Sequence, residues 1–357
     1  MNAAEPGRLR DIGEDRTVAR LRDLVSEPRS DVVVGPGDDT AVLALDDDRH
    51  ILLACDMMVE GTHFRLEWAT PWQIGWKAMA QNISDIAAMG GEPGWVVASL
   101  AAPGHVPEKA VEEIAEGIIA AASRYGAALV GGDLVGSPGP LVVDVAITGW
   151  VEKDKLLLRS GAKPGDAVLV TGFLGASAAG LAARRHGLVD SEEGPLAEAL
   201  RAHHEPQPRL AESRAIAATR LATAMMDLSD GLAEDLPRLC VASGVGARIR
   251  GEELPIAEPC SALAGKFGVA ALELAAAGGE DYELLFTCPP EHVPRVAAAV
   301  SDATGTPVTL IGDVLPEQEV VLVDSQGHPR PLGSGFDHFA VPCAPPDQGD
   351  SPSAENP

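Results

Sequence analysis

Six aspartates sit at the ends of apolar runs or inside small-residue helical stretches. They are Asp39 in GPGDDTAVL, Asp56 in LLACDMMVEGTHF, Asp85 in AQNISDIAAMGG, Asp133 in LVGGDLVG, and Asp227 and Asp230 in MMDLSDGLAEDL. Asp38 stands directly beside Asp39. A carboxylate in such surroundings loses hydration, which is costly unless it is paired or bound to metal. Lysine and arginine are sparse in these windows: Lys77 precedes Asp85 on the same helical stretch, and Arg65 follows Asp56 at a distance. Each acid alone has a simpler role. Asp38, Asp39 and Asp133 suit turns after glycine, Asp85 could face solvent, and Asp230 could cap a helix for about 1 kcal/mol. Five segments of one character together point instead to hard cations. Magnesium takes one or two carboxylates each, with water and phosphate oxygens completing its shell, so this many acids imply several ions.

Metal held by acids suggests phosphoryl transfer. Gly35, Gly37, Gly131, Gly132, Gly172 and Gly175 are placed where backbone N–H groups could approach phosphate oxygens. The sequence has no GxxxxGK[ST], no protein-kinase signatures, no GxSxG and no HExxH, so a nucleotide site would be of another kind.

The elements that must carry these residues alternate. DVVVG, AVLALD and ILLACD read as strands, TPWQIGWKAMAQNISDIAAMGG as a helix starting at Thr70-Pro71, GWVVASLAAP as a strand and PEKAVEEIAEGIIAAASRYG as a helix. AALVGGD and LVVDVAITGWV follow as strands. After a Gly/Pro-containing junction a second alternation begins with AVLVTG, GASAAGLAARRHG, ATAMMDLSDG and LAEDLPRLCVASG. It ends with YELLFTC, EHVPRVAAAVSDATG, VTLIGDV and EVVLVD. The expected fold is α/β with mixed sheets, as an N-terminal segment over 1–30, a metal- and nucleotide-binding domain over 31–150, a C-terminal α/β domain over 151–343, and a disordered acidic, Pro-rich tail over 344–357.

Composition narrows the partners. The formal net charge of −26 would repel nucleic acid and anionic membrane surfaces, and aromatic residues make up only 4 % of the chain. Five cysteines, an odd number without a CxxC pair, fit a reducing, cytoplasmic location rather than a disulfide framework or a zinc site. No signal peptide or membrane-spanning run is expected.

GPGDDTAVL, WKAMAQNISDIAAMGGEP, LVGGDLVG, LLRSGAKPGDAVLVTGFLGASAAGL, MMDLSDGLAEDL and AGGEDYELLFT, in this order, closely resemble thiamine-monophosphate kinases over about residues 10–340. That family belongs with aminoimidazole ribonucleotide synthetase and selenophosphate synthetase. The resemblance implies a two-domain synthetase/kinase architecture and a homodimer built on the N-terminal sheet. It also implies ATP-dependent phosphorylation of thiamine monophosphate to thiamine diphosphate, with ATP as co-substrate and several magnesium ions. Carried over position by position, Asp39, Asp56, Asp85, Asp133, Asp227 and Asp230 would be metal ligands. Gly132, Asp133, Arg159 and Ser229 would bind nucleotide, and His63, Glu280 and Phe336 the thiamine phosphate. Phe336, in GSGFDHF, stands where the family more often has an indole or phenol.

No general base is expected. The acceptor is itself a phosphate monoester, largely ionised near neutral pH with a second pKa of about 6. The barrier lies in bringing two polyanions together, which metal ions relieve. The alternatives are another ATP-dependent synthetase of the same superfamily, a metal-dependent phosphohydrolase, and a non-catalytic nucleotide- or metal-binding module.

Overall fold

In this computed structural model the described residues are 13–24, 29–188, 191 and 193–333. The tail over 344–357 and Phe336 lie outside them. Two compact units are distinguished. In the smaller, the helix α1 (Glu14–Leu24) is described, with Val18, Leu21 and Leu24 exposed. The larger unit, Pro28–Phe336, holds two sheets and everything discussed below.

The first sheet contains β1 (Val32–Val34), β2 (Ala41–Ala44), β3 (Arg49–Val59), β4 (Glu92–Ala102), β5 (Ala128–Gly136) and β6 (Val142–Glu152). Their spatial order is β1-β2-β3-β6-β4-β5, antiparallel except for the parallel β4–β5 pair. β6 alternates buried and half-buried residues without a break, the period of a sheet with one covered face. That face is covered by α2 (Pro71–Ala88) and α3 (Glu108–Arg124).

α2 begins with a capping box: Gln73 N donates to Thr70 Oγ1 at 3.2 Å, and Thr70 N donates to Gln73 Oε1 at 3.0 Å. Pro71 suits the first helical turn. α2 and α3 cross at glycines. A Cβ at Gly75 would lie 1.9 Å from Ile114 O, and one at Gly117 would lie 2.0 Å from Trp72 O. Only hydrogen in both places lets the backbones meet.

The second sheet runs β13-β12-β9-β11-β7-β10-β8 and comprises β7 (Ala167–Thr171), β8 (Ala224–Asp227), β9 (Gly246–Arg250), β10 (Leu284–Cys288), β11 (Val308–Leu315), β12 (Val320–Val323) and β13 (Pro329–Arg330). It is antiparallel apart from β12–β9. β7 and β10 are buried along their whole length, as central strands covered on both faces require. The helices of this half are α4 (Ala176–Arg185), α5 (Pro195–His204), α6 (Leu210–Thr219), α7 (Leu232–Ser243), α8 (Glu258–Phe267), α9 (Ala271–Ala277) and α10 (Val293–Thr304).

The expected strands and longer helices form where the sequence places them. α5, α6, α8 and α9 carry no clear sequence signal: each has ten residues or fewer. Helices this short are marginal alone and are stabilised by docking. Among the described residues no single helix is long and apolar enough to cross a membrane.

α2 also docks on the second half. Trp76 Nε1 donates to Pro206 O at 2.9 Å, Gln73 Nε2 to Glu205 Oε1 at 2.8 Å, and Ser84 Oγ to Asp227 Oδ2 at 2.5 Å. Arg214 of α6 reaches back to Gly90 O at 2.6 Å and to Glu152 at 2.8 Å. A helix that is buried nearly all round thus joins both sheets, and its polar residues mark the seam between them.

Candidate active site

At this seam the acids meet. Asp38 and Asp39 come from the loop between β1 and β2, Asp56 from β3, Asp85 from α2, and Asp227 from the last position of β8. One carboxylate oxygen from each of Asp39, Asp85 and Asp227 lies within 4.8 Å of the others. Asp39 and Asp227 are buried, while Asp85 keeps part of its surface open.

Burial, then the charges of Asp56, Asp227 and Asp39, push Asp85 well above the usual carboxylate range, against the pull of Arg159. Burial and the neighbouring Asp39 raise Asp227 to about 7, although Ser84 and Arg159 favour its ionised form. Burial and Asp39 likewise raise Asp38 to about 6. Asp39 Oδ2 is buried with no hydrogen-bond partner. Three converging carboxylates, one of which carries an orphaned oxygen, are the donor set a magnesium-like cation takes.

The expectation that no basic side chain reaches these acids does not hold. Arg159 Nε donates to Asp39 Oδ1 at 3.1 Å, its Nη2 contacts the same oxygen, and its backbone N donates to Asp38 Oδ2 at 3.2 Å. Asp38 in turn accepts from Asp39 N at 3.0 Å, so it shapes the loop. Arg238 likewise pairs with Asp230 at 2.5 Å. Arg159 lies 120 residues from Asp39, outside any local window, whereas Arg238 lies only 8 residues beyond Asp230.

Asp56 stands close enough to raise Asp85 and joins the group from β3. Asp133 does not join it. On β5 it pairs in register with Ser99 of β4, is exposed, and accepts from its neighbour Leu134 N at 2.9 Å. Gly132, beside it, lies against β4, where a Cβ would sit 2.0 Å from Ala98 O. Asp230 also stands apart, tied to Arg238 on α7. Ser229 is half-buried, and its carbonyl accepts from Glu280 N at 2.7 Å, which joins the two loops.

His63 lines a cleft, and Glu280 stands behind two of that cleft's lining residues, Lys77 and His203. His63 Nδ1 accepts from Val59 N at 2.9 Å, and its ring lines the cleft with Trp68, Lys77, His203 and His204. Glu280 reaches that lining through two contacts: Oε1 is 2.6 Å from Lys77 Nζ, and Oε2 is 3.2 Å from His203 Nδ1. Burial alone would push Glu280 up, but Lys77 and His203 hold it well below the usual carboxylate range. Lys77 and His203 are absent from the site read from sequence. Lys77 was legible, since it lies two helical turns before Asp85 on the polar face of α2. His203 was not, because α5 carried no signal.

A two-sheet fold with clustered acids at its internal seam matches a class, the AIR synthase related proteins. The N-terminal domain of that class matches residues 37–151 and its C-terminal domain residues 163–325. The thiamine-monophosphate kinase of Salmonella typhimurium (strain LT2) is 38% identical over 331 residues, covering 92% of this chain and 99% of its own. That of Escherichia coli (strain K12) is 37% identical with the same coverage. The structure of AaThiL complexed with AMPPCP and TMP superposes with a TM-score of 0.82 at 31% identity, over 94% of this chain and 100% of that one. The chain belongs to the thiamine-monophosphate kinase family.

Proposed function

We propose that this protein transfers the γ-phosphoryl group of ATP to thiamine monophosphate, in line and without a covalent enzyme intermediate, to give thiamine diphosphate and ADP. The observation that carries this reading is the convergence of Asp39, Asp85 and Asp227 from three separate segments, within a chain alike to these kinases over nearly its whole length. A structural relative that holds an ATP analogue and thiamine monophosphate together supports it.

Asp39, Asp85 and Asp227, with Asp56 beside them, would hold magnesium. Bound there, the metal supplies the positive charge that screens two phosphate groups from each other. The protein's own residues do the rest. Ser84 fixes one oxygen of Asp227 and so sets the orientation of its carboxylate. Arg159 stands at the same place with a guanidinium fork suited to a nucleotide phosphate, and Ser229 lies on the loop that follows β8. His63 lines the cleft that would take the thiamine body, and Glu280, held against the lining residues Lys77 and His203, supplies a carboxylate that favours a cationic ring. Phe336 is retained as an acceptor contact from the sequence. Asp230 would have to release Arg238 before it could bind metal.

We divide the larger unit near residue 151, between the two sheets, and assign a second copy of this chain to the open face of the first sheet. On that face Leu53, Met57, Trp95 and Val97 are all exposed, in rows that run across β3, β6 and β4. The exposed Ser99 and Asp133 lie in the same row as Met57, through Asp144, so a partner on this face would cover them. The four described cysteines are free thiols, in keeping with a cytoplasmic enzyme.

ADP release measured in parallel with thiamine monophosphate, thiamine and no acceptor tests the function. Release that requires thiamine monophosphate is the expected result. Inorganic phosphate released without acceptor would mark a phosphohydrolase instead.

A further inference from the structure

We propose that Lys77 is a positioning residue for the acceptor: itself in the cleft lining, it holds Glu280 in one orientation beside the cleft and so sets the affinity for the thiamine body rather than the rate of transfer. This rests on the function proposed above. Lys77 is buried on α2, and Glu280 is its one ionic partner among the described residues, at 2.6 Å. A buried ammonium is costly unless paired, so the pair acts as a unit. His203 closes the other side of the carboxylate, and Ser177 Oγ lies 3.1 Å from the same His203 nitrogen.

The backbone is committed to this arrangement as well. Glu280 sits at φ 64° and Tyr282 at φ 51°, the left-handed region that non-glycine residues rarely occupy. Residues so strained persist where surrounding contacts over-determine them. Here those contacts are the ionic approaches of Lys77 and His203 and the Glu280 N–H donated to Ser229 O.

The placement along α2 gives the pair its purpose. Lys77 and Asp85 are eight residues apart on one polar face, about 12 Å of helix rise. Asp85 marks the phosphate end of the site and the Lys77–Glu280 pair the organic end. One helix therefore spaces the metal group from the point where the acceptor's cationic ring would be gripped. With Lys77 neutralised, Glu280 would keep only His203, which burial biases toward its neutral form.

The test is a double-mutant cycle on the full-length protein with Lys77→Met, Glu280→Gln and both together. We expect Lys77→Met to raise KM for thiamine monophosphate about tenfold or more. KM for ATP and kcat should stay within about threefold, a shift smaller than one such bond is worth. In the Glu280→Gln background the same lysine substitution should change KM for thiamine monophosphate by less than about twofold, because its partner is already neutral. Equal effects in both backgrounds, an equal rise in KM for ATP, or an unchanged KM for thiamine monophosphate would each overturn the assignment. Should Lys77→Met not fold, Lys77→Gln takes its place in the cycle and the same outcomes decide. Absence of acceptor-dependent ADP release by the unsubstituted enzyme would instead remove the proposed function itself, before any variant is compared.

Discussion

At the scale of single residues, the site is a set of carboxylates held in surroundings that resist their ionisation. Asp85→Asn removes one negative ligand without removing packing volume. We expect kcat to fall on the order of 100-fold or more, as when a charge-stabilising group is lost, while the melting temperature holds or rises. ADP release at saturating magnesium, paired with a thermal melt, checks both parts. Normal turnover by this variant at low magnesium would exclude the metal role. The same acids predict how stability depends on pH in the metal-free protein. Burial and Asp39 raise Asp227 from 3.8 to about 7, so the folded state holds this proton more tightly than the unfolded chain. Stability from that group is present in full below pH 4 and is lost as pH rises through 7. Asp38, raised to about 6, acts in the same direction, and so does Asp85. Magnesium should therefore raise the melting temperature more at pH 8 than at pH 5.5. An equal rise at both values would contradict the clustering of these acids.

At the scale of elements, α2 does most of the positioning. It covers the first sheet, abuts β8, carries Asp85 and Lys77, and sends Ser84 to Asp227. Its depth is set where Gly75 meets the carbonyl of Ile114 and Gly117 of α3 meets the carbonyl of Trp72. Gly117→Ala should force the two helices apart, at about 1–3 kcal/mol, typical of overpacking. Chemical denaturation measures that loss. Because α3 carries none of the acids, a fall in kcat alongside it would come through displacement of α2, and unchanged stability would show that the crossing has slack. Ser84→Ala should act more locally. It removes the donor at 2.5 Å from Asp227 and should weaken magnesium binding while stability changes by about 1 kcal/mol. Calorimetry with magnesium alone reads that difference.

At the scale of the whole molecule, one face of the first sheet carries large apolar groups that no described residue covers. Trp95, at 62% exposure, and Met57, at 54%, are large groups that a lone protomer would leave in water. Val97→Glu places a charge in the middle of that face, beside Ala146 in register. Light scattering should then report a monomer where the unsubstituted chain is a dimer. A monomer in both cases would remove the sheet face as an interface.

The sequence alone determined which residues are chemically unusual and which elements carry them. Carboxylates at strand ends, a helix start at Thr70-Pro71, a strand at LVVDVAITGWV and the absence of a P-loop are local facts, and local physics reads them. The ordered motifs around Asp39, Asp85, Asp133, Asp227 and Glu280 were specific enough to point to the family before any coordinate was considered. What only the tertiary structure decided was who meets whom. Asp39 and Asp227 lie far apart in sequence yet share a cluster, Arg159 reaches Asp39 across a comparable separation, and Asp133 turns to the outer face instead of joining the group. His203 reached Glu280 on a helix too short to be stable by itself. Chain neighbours set the conformation of each segment, but the electrostatic cost of a buried charge is settled by whatever the fold packs against it, and that partner need not be near in sequence.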